Sequence, residues 1–244
     1  MSDYKGYTIK IVQDDDPANP IKEFDTLGTM ACWHRKYDLG HEQITDIDEF
    51  LLGLAREVDP DIDDKILYWE DGPGWTRLVN QEHIACNHKK DELSAYTGAS
   101  NRCDRVKRDL VWRIIDKNYI YLSLYLYDHS GITMSTSSFS CPWDSGQVGY
   151  IYISKADARK EFSWKKLTKK RVEEVEKCLK SVVETYDMWL TGDVWGYEIY
   201  GPDDDEDFPQ DSCWGFYGYD YCLQEAKDYV NYVASEEAAD VTGS

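Results

Sequence analysis

The sequence predicts an α+β fold, a twisted antiparallel sheet with helices packed mainly on one face. Three observations carry that expectation. Apolar residues alternate through Tyr4–Val12, Tyr119–Tyr127, Val148–Ser154 and Val194–Tyr200, the period-2 pattern of strands with one buried face. A single long stripe at helical spacing joins Val172, Val175, Leu179, Val182, Val183, Tyr186 and Leu190, with charged residues on the other faces. The strands follow one another as hairpins more often than they alternate with helices, which favours antiparallel pairing.

Taken in order, Tyr4–Val12 reads as a first strand, stopped by Asp14, Asp15, Asp16, Pro17 and Pro20. A second strand falls within Thr26–His34 and is closed by a turn at Asp38-Leu39-Gly40. From Thr45 the period lengthens. Ile47, Phe50, Leu51, Leu54 and Val58 are spaced for a helix capped by Thr45 or Asp46, with acids in its first turn. Ile66–Trp69 reads as a short buried strand, and Gln81–Arg108 is polar with no period that sets its elements. The strands Tyr119–Tyr127 and Val148–Ser154 form the centre of the chain. Helices are expected over Lys155–Phe162 and Thr168–Leu190, with Gly192 just past the second. Val194–Tyr200 and Cys213–Tyr217 are expected to pair as a hairpin. Its tip, Gly201–Asp211, holds Asp203, Asp204, Asp205, Glu206 and Asp207 between Pro202 and Pro209. A last helix runs from about Tyr221 to about Ala234. No repeat or linker intervenes, so one α+β domain over 1–244 is expected, with an N-terminal part (1–118), a core (119–234) and a frayed tail (235–244).

With 244 residues, 42% of them apolar and 14% aromatic, the chain can build a core without disulfide or metal staples, which excludes wholesale disorder. The formal charge is −20 and is unevenly placed. From Ser181 to Ser244 there are 16 acids and one base, Lys227, whereas 19 bases face 13 acids from Thr76 to Lys180. An acidic surface repels phosphates, which argues against direct nucleic-acid binding. The same surface can instead compete for a basic channel on another protein. Seven cysteines, an odd count without C-x-x-C spacing, read as reduced thiols. No apolar run approaches the ~20 residues of a membrane span, and the start lacks the apolar stretch of a secretory signal. A cytoplasmic protein without a membrane role is expected.

The residues with chemistry cluster between the central strands. Asp128-His129-Ser130-Gly131 sits at a strand end and offers a carboxylate beside an imidazole. Ser130, Ser145 or Cys141 would be the nucleophile, so His129, Ser130, Cys141, Asp144 and Ser145 are the candidate catalytic residues. Neighbours on a strand face opposite ways, however, and no G-x-S-x-G elbow is present. Read as structure, the same residues make a hairpin turn in which Gly131 supplies a positive φ. Trp143-Asp144-Ser145-Gly146-Gln147 begins a second turn that can line a pocket, although its glycine spacing matches no phosphate-binding loop. Asp211-Ser212-Cys213-Trp214-Gly215-Phe216-Tyr217-Gly218 repeats that chemistry, with Gly215 and Gly218 expected to let Trp214 and Phe216 pack closely. If the two tryptophan-bearing bends meet, Asp128, His129, Trp143, Asp144, Ser145, Gln147, Asp211, Ser212 and Trp214 surround one binding patch. Cys32, His34, His41, His83 and His88 show no zinc-ligand spacing. Asp59, Asp61, Asp63 and Glu70 match calcium-loop positions, but Asp64 stands where that loop needs glycine. No metal and no cofactor is expected.

Three blocks, DTLGTMACWHRKYDLGHEQ (Asp25–Gln43), YDHSGITMSTSSFSCPWDSGQVGYIYIS (Tyr127–Ser154) and DSCWGFYG (Asp211–Gly218), resemble a family of uncharacterised accessory proteins of bacteriophages and other mobile elements. The resemblance implies an accessory protein acting in the cytoplasm of a bacterial host, and it implies no catalytic residues. Joined to the charge pattern, it leads to a non-enzymatic binder that inhibits a host nucleic-acid-handling or defence protein. In such an anti-defence role, carboxylates stand where the target expects phosphates. The partner would be a host or phage protein with a basic surface, met by Asp203–Asp207. The alternative is a nucleotide or small-ligand binding protein, or a hydrolase, using the Asp128-His129-Ser130 and Trp143-Asp144-Ser145 loops.

Overall fold

The computed structural model describes residues 2–62, 111–202 and 208–242. The strand expected at Ile66–Trp69, the region Gln81–Arg108, the calcium-loop positions Asp63, Asp64 and Glu70, and the acidic run Asp203–Asp207 lie outside the described residues.

The first expected strand is two. β1 (Ser2–Tyr4) and β2 (Tyr7–Gln13) form a hairpin, because Lys5 and Gly6 take φ of 52° and 83°. Two successive left-handed residues reverse a chain within a two-residue loop. Helix α1 (Pro20–Glu23) is opened by Asn19, whose side chain accepts from the Ile21 amide at 3.2 Å. After β3 (Thr29–Cys32) and β4 (Glu42–Gln43) comes α2 (Ile47–Val58). Asp46 is its cap, accepting from the Glu49 amide at 3.0 Å. The central strands are β5 (Tyr119–Asp128), β6 (Ile132–Ser135) and β7 (Ser145–Ser154). They are followed by α3 (Lys155–Glu161) and α4 (Lys169–Thr191), then β8 (Val194–Tyr200), β9 (Asp211–Tyr217) and α5 (Tyr219–Thr242). Helix α5 overruns the end expected near Ala234. No glycine or proline occurs in it before Gly243, and its last turns are rich in Ala and Glu, which are strong helix formers.

The fold is α+β, with its strands in two sheets. One is antiparallel throughout, in the order β1-β2-β8-β9. The other is mixed, in the order β4-β3-β7-β5-β6, with β3 and β4 parallel and β5 and β6 antiparallel. The chain gathers into two compact units, one from Met1–Thr29, Leu122–Ile151 and Lys177–Ser244, the other from Met30–Tyr121 and Tyr152–Glu176.

In the first unit, Tyr7, Ile9, Tyr197 and Ile199 of the antiparallel sheet bury one face against Cys222, Ala226 and Val230 of α5. Those three helix positions recur every fourth residue, so small and branched side chains form one seam against the strands. On the same pair of strands, Lys10 faces Glu198 in register and bonds it at 2.7 Å. In the second unit, Leu51, Leu52, Leu54 and Ala55 of α2 pack with Val111, Ile115 and Tyr119. The Tyr119 hydroxyl donates to Glu57 at 2.8 Å, and burial together with that carboxylate pushes its pKa up.

β3 is tied to the loop that follows it by a reciprocal pair. The Met30 amide donates to His41 Nδ1 at 2.9 Å, and the His41 amide donates to the Met30 carbonyl at 2.8 Å. Burial lowers the His41 pKa from 6.5, as expected for an imidazole whose Nδ1 must stay unprotonated to accept. The unfolded chain therefore takes up this proton more readily than the folded one. The pair's contribution is complete above the unfolded pKa of 6.5 and is lost as pH falls from there through the lowered folded value. Urea unfolding at about pH 7.5 and about pH 5.5 should show a smaller drop in midpoint for His41→Gln than for the unaltered chain. Equal drops would show that this imidazole is not linked to folding.

Candidate functional site

β5 ends at Asp128, and the chain turns through His129 and Ser130 into β6. The positive φ of this turn, 61°, belongs to Ser130 and not to Gly131. Serine tolerates the left-handed region when its neighbours fix it, and here the His129 amide closes the turn on the Gly131 carbonyl at 3.0 Å. The Asp128 amide donates to the Asp144 carbonyl at 2.8 Å, which ties the first loop to the second. His129 Nδ1 then lies 3.4 Å from Asp144 Oδ2, and Cys141 Sγ lies 3.6 Å from the same oxygen. The carboxylate beside the imidazole is thus Asp144, not the adjacent Asp128.

An imidazole, a thiol and a carboxylate share one oxygen on an open face, with the His129 side chain 64% and Asp144 39% exposed. At that exposure the pair is screened by water. Ser145 is turned to the main chain, its hydroxyl donating to the Cys141 carbonyl. Gln147 Nε2 reaches Ser123 Oγ at 3.5 Å and the Gly149 carbonyl at 3.4 Å. The ring of Tyr127 stacks on His129 and lies beside Phe139. These contacts make the cluster a polar surface able to hydrogen-bond a ligand, not a hydroxyl nucleophile aligned on a base.

The second bend occupies β9. Tyr197 donates to Asp211 Oδ2 at 3.3 Å, and Ser212 pairs with Glu198 across the ladder. Trp214 lies on Gly196, where an added Cβ would overlap the indole and the Cys213 carbonyl. The ladder is irregular at that point, between Trp195 and Tyr197. The glycine that admits Trp214 is therefore Gly196. Gly215 and Gly218 serve the backbone, with φ of 86° and 96°. The two tryptophan bends belong to different sheets, Ser145 and Gln147 to β7 and Asp211–Trp214 to β9. Trp143 is 92% exposed and makes no ring contact or hydrogen bond among the described residues.

A groove of about 310 Å³ opens elsewhere in the first unit, between Pro20, Ile21, Phe24, Leu27, Val182 and Tyr217. It contains none of the nominated residues. The Tyr217 hydroxyl donates to the Ala18 carbonyl at 2.6 Å, and burial, then Glu23 and Asp14, push its pKa up. His34 caps its own turn, Nδ1 accepting from the Lys36 and Tyr37 amides. Among the described residues no three His, Cys, Asp or Glu side chains are grouped to hold a metal ion, and no helix is long and apolar enough to cross a membrane.

Two residues that sequence reasoning missed organise the scaffold. Asp187 of α4 accepts from Thr133 Oγ1 at 2.8 Å and from the Met134 amide at 2.6 Å. Asp193 accepts from the Trp195 indole and from the Tyr219 amide, while its carbonyl takes the Gly218 amide. Asp193 directly follows Gly192 at the helix-to-strand junction, a signal that could have marked it as a turn-bonding aspartate. Asp187 had no such signal.

The thiols differ sharply. Cys213 is exposed, whereas burial pushes Cys32 up to about 12 and Cys222 up to about 11. The thiolate is the reactive form. Iodoacetamide at about pH 8 should therefore label Cys213 in the folded chain and reach Cys32 and Cys222 only after denaturation, as read by peptide mass spectrometry. Early labelling of Cys32 would contradict its place in the core.

Set beside known proteins, the chain matches no protein-family model, no curated protein and no solved structure.

Proposed function

We propose that this is an acidic accessory protein of bacteriophage type that binds and inhibits a host nucleic-acid-handling or defence protein in the bacterial cytoplasm, without catalysing a reaction. One observation carries the reading. The segment with 16 acids and one base, Ser181–Ser244, also holds Phe208, Trp214, Tyr219, Tyr221 and Tyr232, all large and exposed. Aromatic anchors supply affinity at a docking surface, and surrounding charge steers a partner of opposite sign. Two of the anchors are pre-organised by ring contacts: Trp195 meets Tyr219 edge-on at 5.2 Å, and Phe216, itself stacked on Tyr197 at 5.5 Å, meets Tyr221 at 5.9 Å. β9 is last in its sheet, and Ser212–Gly215 are exposed along it, so strand edge, aromatics and acids lie in one stretch. The resemblance of the three sequence blocks to phage and mobile-element proteins supports the setting.

Affinity capture from bacterial lysate should recover a nucleic-acid-handling or defence protein at about 50 mM salt and lose it at several hundred millimolar, because exposed ion pairs are screened. The double variant Trp214→Ala, Tyr221→Ala should weaken capture of that same protein at least about tenfold. Recovery of no such protein at low salt, or equal recovery by the variant, would sink the reading. The second reading, a small-ligand or nucleotide site, draws on the oxygen that His129 and Cys141 share at Asp144. A nucleotide that raises the melting temperature of the unaltered chain but not of Asp144→Asn would favour it.

A further inference from the structure

One described stretch is strongly basic. The 17 residues from Lys155 to Arg171 hold eight bases and two acids, in a chain whose net charge is −20. They comprise α3, the loop after it and the first turn of α4, all within one compact unit. Arg159, Lys160, Lys165, Lys166, Lys169 and Lys170 are exposed, and among the described residues none of the six makes an ion pair.

The loop is ordered without neutralising those charges. Phe162 and Trp164 stack with ring centroids 4.5 Å apart, and the Arg171 guanidinium lies 4.8 Å from the Trp164 ring centroid. Arg171 Nη1 donates to the Lys166 carbonyl at 2.7 Å, and the Trp164 amide donates to the Arg159 carbonyl at 2.8 Å. Ser163 adopts a φ of 53° to make this bend. Two groups are thereby spent on structure, Arg171 here and Lys155 on the carbonyls of Asp116 and Lys117. The other six bases are left facing water on a pinned backbone. The first turn of α4 contains no acid and begins Lys169-Lys170-Arg171, although the positive end of a helix ordinarily selects carboxylates. The arrangement is self-repelling in isolation, and a row of negative charges relieves it.

We propose that Arg159–Arg171 is a binding strip for the phosphodiester backbone of single-stranded nucleic acid. Five of the six free bases are lysines. Lysine meets each of a series of phosphates as a flexible point charge and demands no fixed bidentate geometry of them. The bases are spread over a helix end, a loop and a helix start, a track for a chain of phosphates and not a pocket for one anion. The aromatic pair in its middle is half-buried, and single-strand binders place aromatic side chains beside such tracks. The total charge opposes nucleic-acid binding by the chain as a whole, but screening beyond ~8 Å at physiological salt confines that opposition to close neighbours. The strip uses none of the residues on which the acidic docking surface rests, and either reading stands without the other.

The test is fluorescence anisotropy of the full chain with labelled oligo-dT and oligo-U of about 20 nucleotides, beside a duplex of equal length. Both single strands should bind at about 50 mM salt and weaken by tens of fold at about 200 mM, the slope for roughly four phosphate contacts. The quadruple variant Lys165→Gln, Lys166→Gln, Lys169→Gln, Lys170→Gln should lose at least about tenfold, and the matching Lys→Arg variant should retain binding. Circular dichroism should show both variants folded. Absence of binding at low salt, equal binding by the glutamine variant, or preference for the duplex overturns the proposal. So does displacement by polyglutamate as effective as by unlabelled oligonucleotide, which would mark the strip as a docking face for an acidic protein.

Discussion

Gly40→Ala is expected to destabilise the fold by about 3–5 kcal/mol, roughly 10 °C in Tm. Two effects add. The residue sits at φ +76°, where alanine is strained by about 1–2 kcal/mol. Its Cβ would also stand 2.6 Å from the Met30 carbonyl oxygen and 2.9 Å from Cys32 Sγ. The oxygen is main chain and the thiol is fully buried, so neither can swing aside. Relief requires the loop to lift from β3, which breaks the reciprocal bonds between Met30 and His41 and leaves the Met30 amide without its acceptor. Gly53→Ala is the internal control. That glycine lies within α2 with nothing within 4 Å of the would-be Cβ, so the same substitution should stabilise by about 0.5–1 kcal/mol. Urea unfolding followed by circular dichroism reads both. A Gly40→Ala midpoint close to that of the unaltered chain would mean that the approach to β3 is not kept in solution.

Gly40 also shows what the sequence discloses and what it does not. That it closes a turn follows from Asp38-Leu39-Gly40; that its hydrogen is the only substituent the Met30 carbonyl admits does not. Periodic information survives translation well. Val175, Leu179, Val183 and Tyr186 of the predicted α4 stripe are buried, and β8 keeps the bounds Val194–Tyr200. Alternation reveals that one face of a strand is covered but not which strand lies beside it, so the division into two sheets was invisible. Turn chemistry misled where a non-glycine residue takes the left-handed position, at Ser130, because local preference assigns that geometry to the glycine next door; at Lys5 and Gly6 the alternation of Tyr4–Val12 hid the turn altogether. The site was legible as a set of residue types. Its pairing was not, since His129 meets Asp144 across two loops and Trp214 meets Gly196 across a ladder irregularity. Both contacts depend on register, which no single segment encodes. The net charge of −20 is likewise a sum, and within it lies a run in which bases outnumber acids four to one.

Asp187→Ala should cost about 2–3 kcal/mol, with Asp187→Asn costing about 1 kcal/mol or less. Among the described residues β6 is last in its sheet, so amides turned away from β5 meet no described strand. The Met134 amide is one of these, and Met134 itself is buried. Asp187 Oδ1 accepts from that amide and from Thr133 Oγ1 at once, so a carboxylate on α4 does for this edge what a further strand would do. Alanine leaves the amide both shielded from water and unbonded, which is the expensive case. Asparagine keeps an acceptor oxygen of the same reach and loses only the charge assistance. The ordering alanine, asparagine, unaltered chain should appear in thermal unfolding. The amide protons of Thr133–Ser135 should exchange faster in the alanine variant while those of β8 are unchanged, because the opened edge is local. If both variants melt together, charge and not acceptor geometry holds β6. If neither differs from the unaltered chain, the helix-to-edge contact contributes nothing to folding, and the His129 turn at the head of β6 is held by the β5–β6 ladder and the Asp128–Asp144 main-chain bond without help from α4.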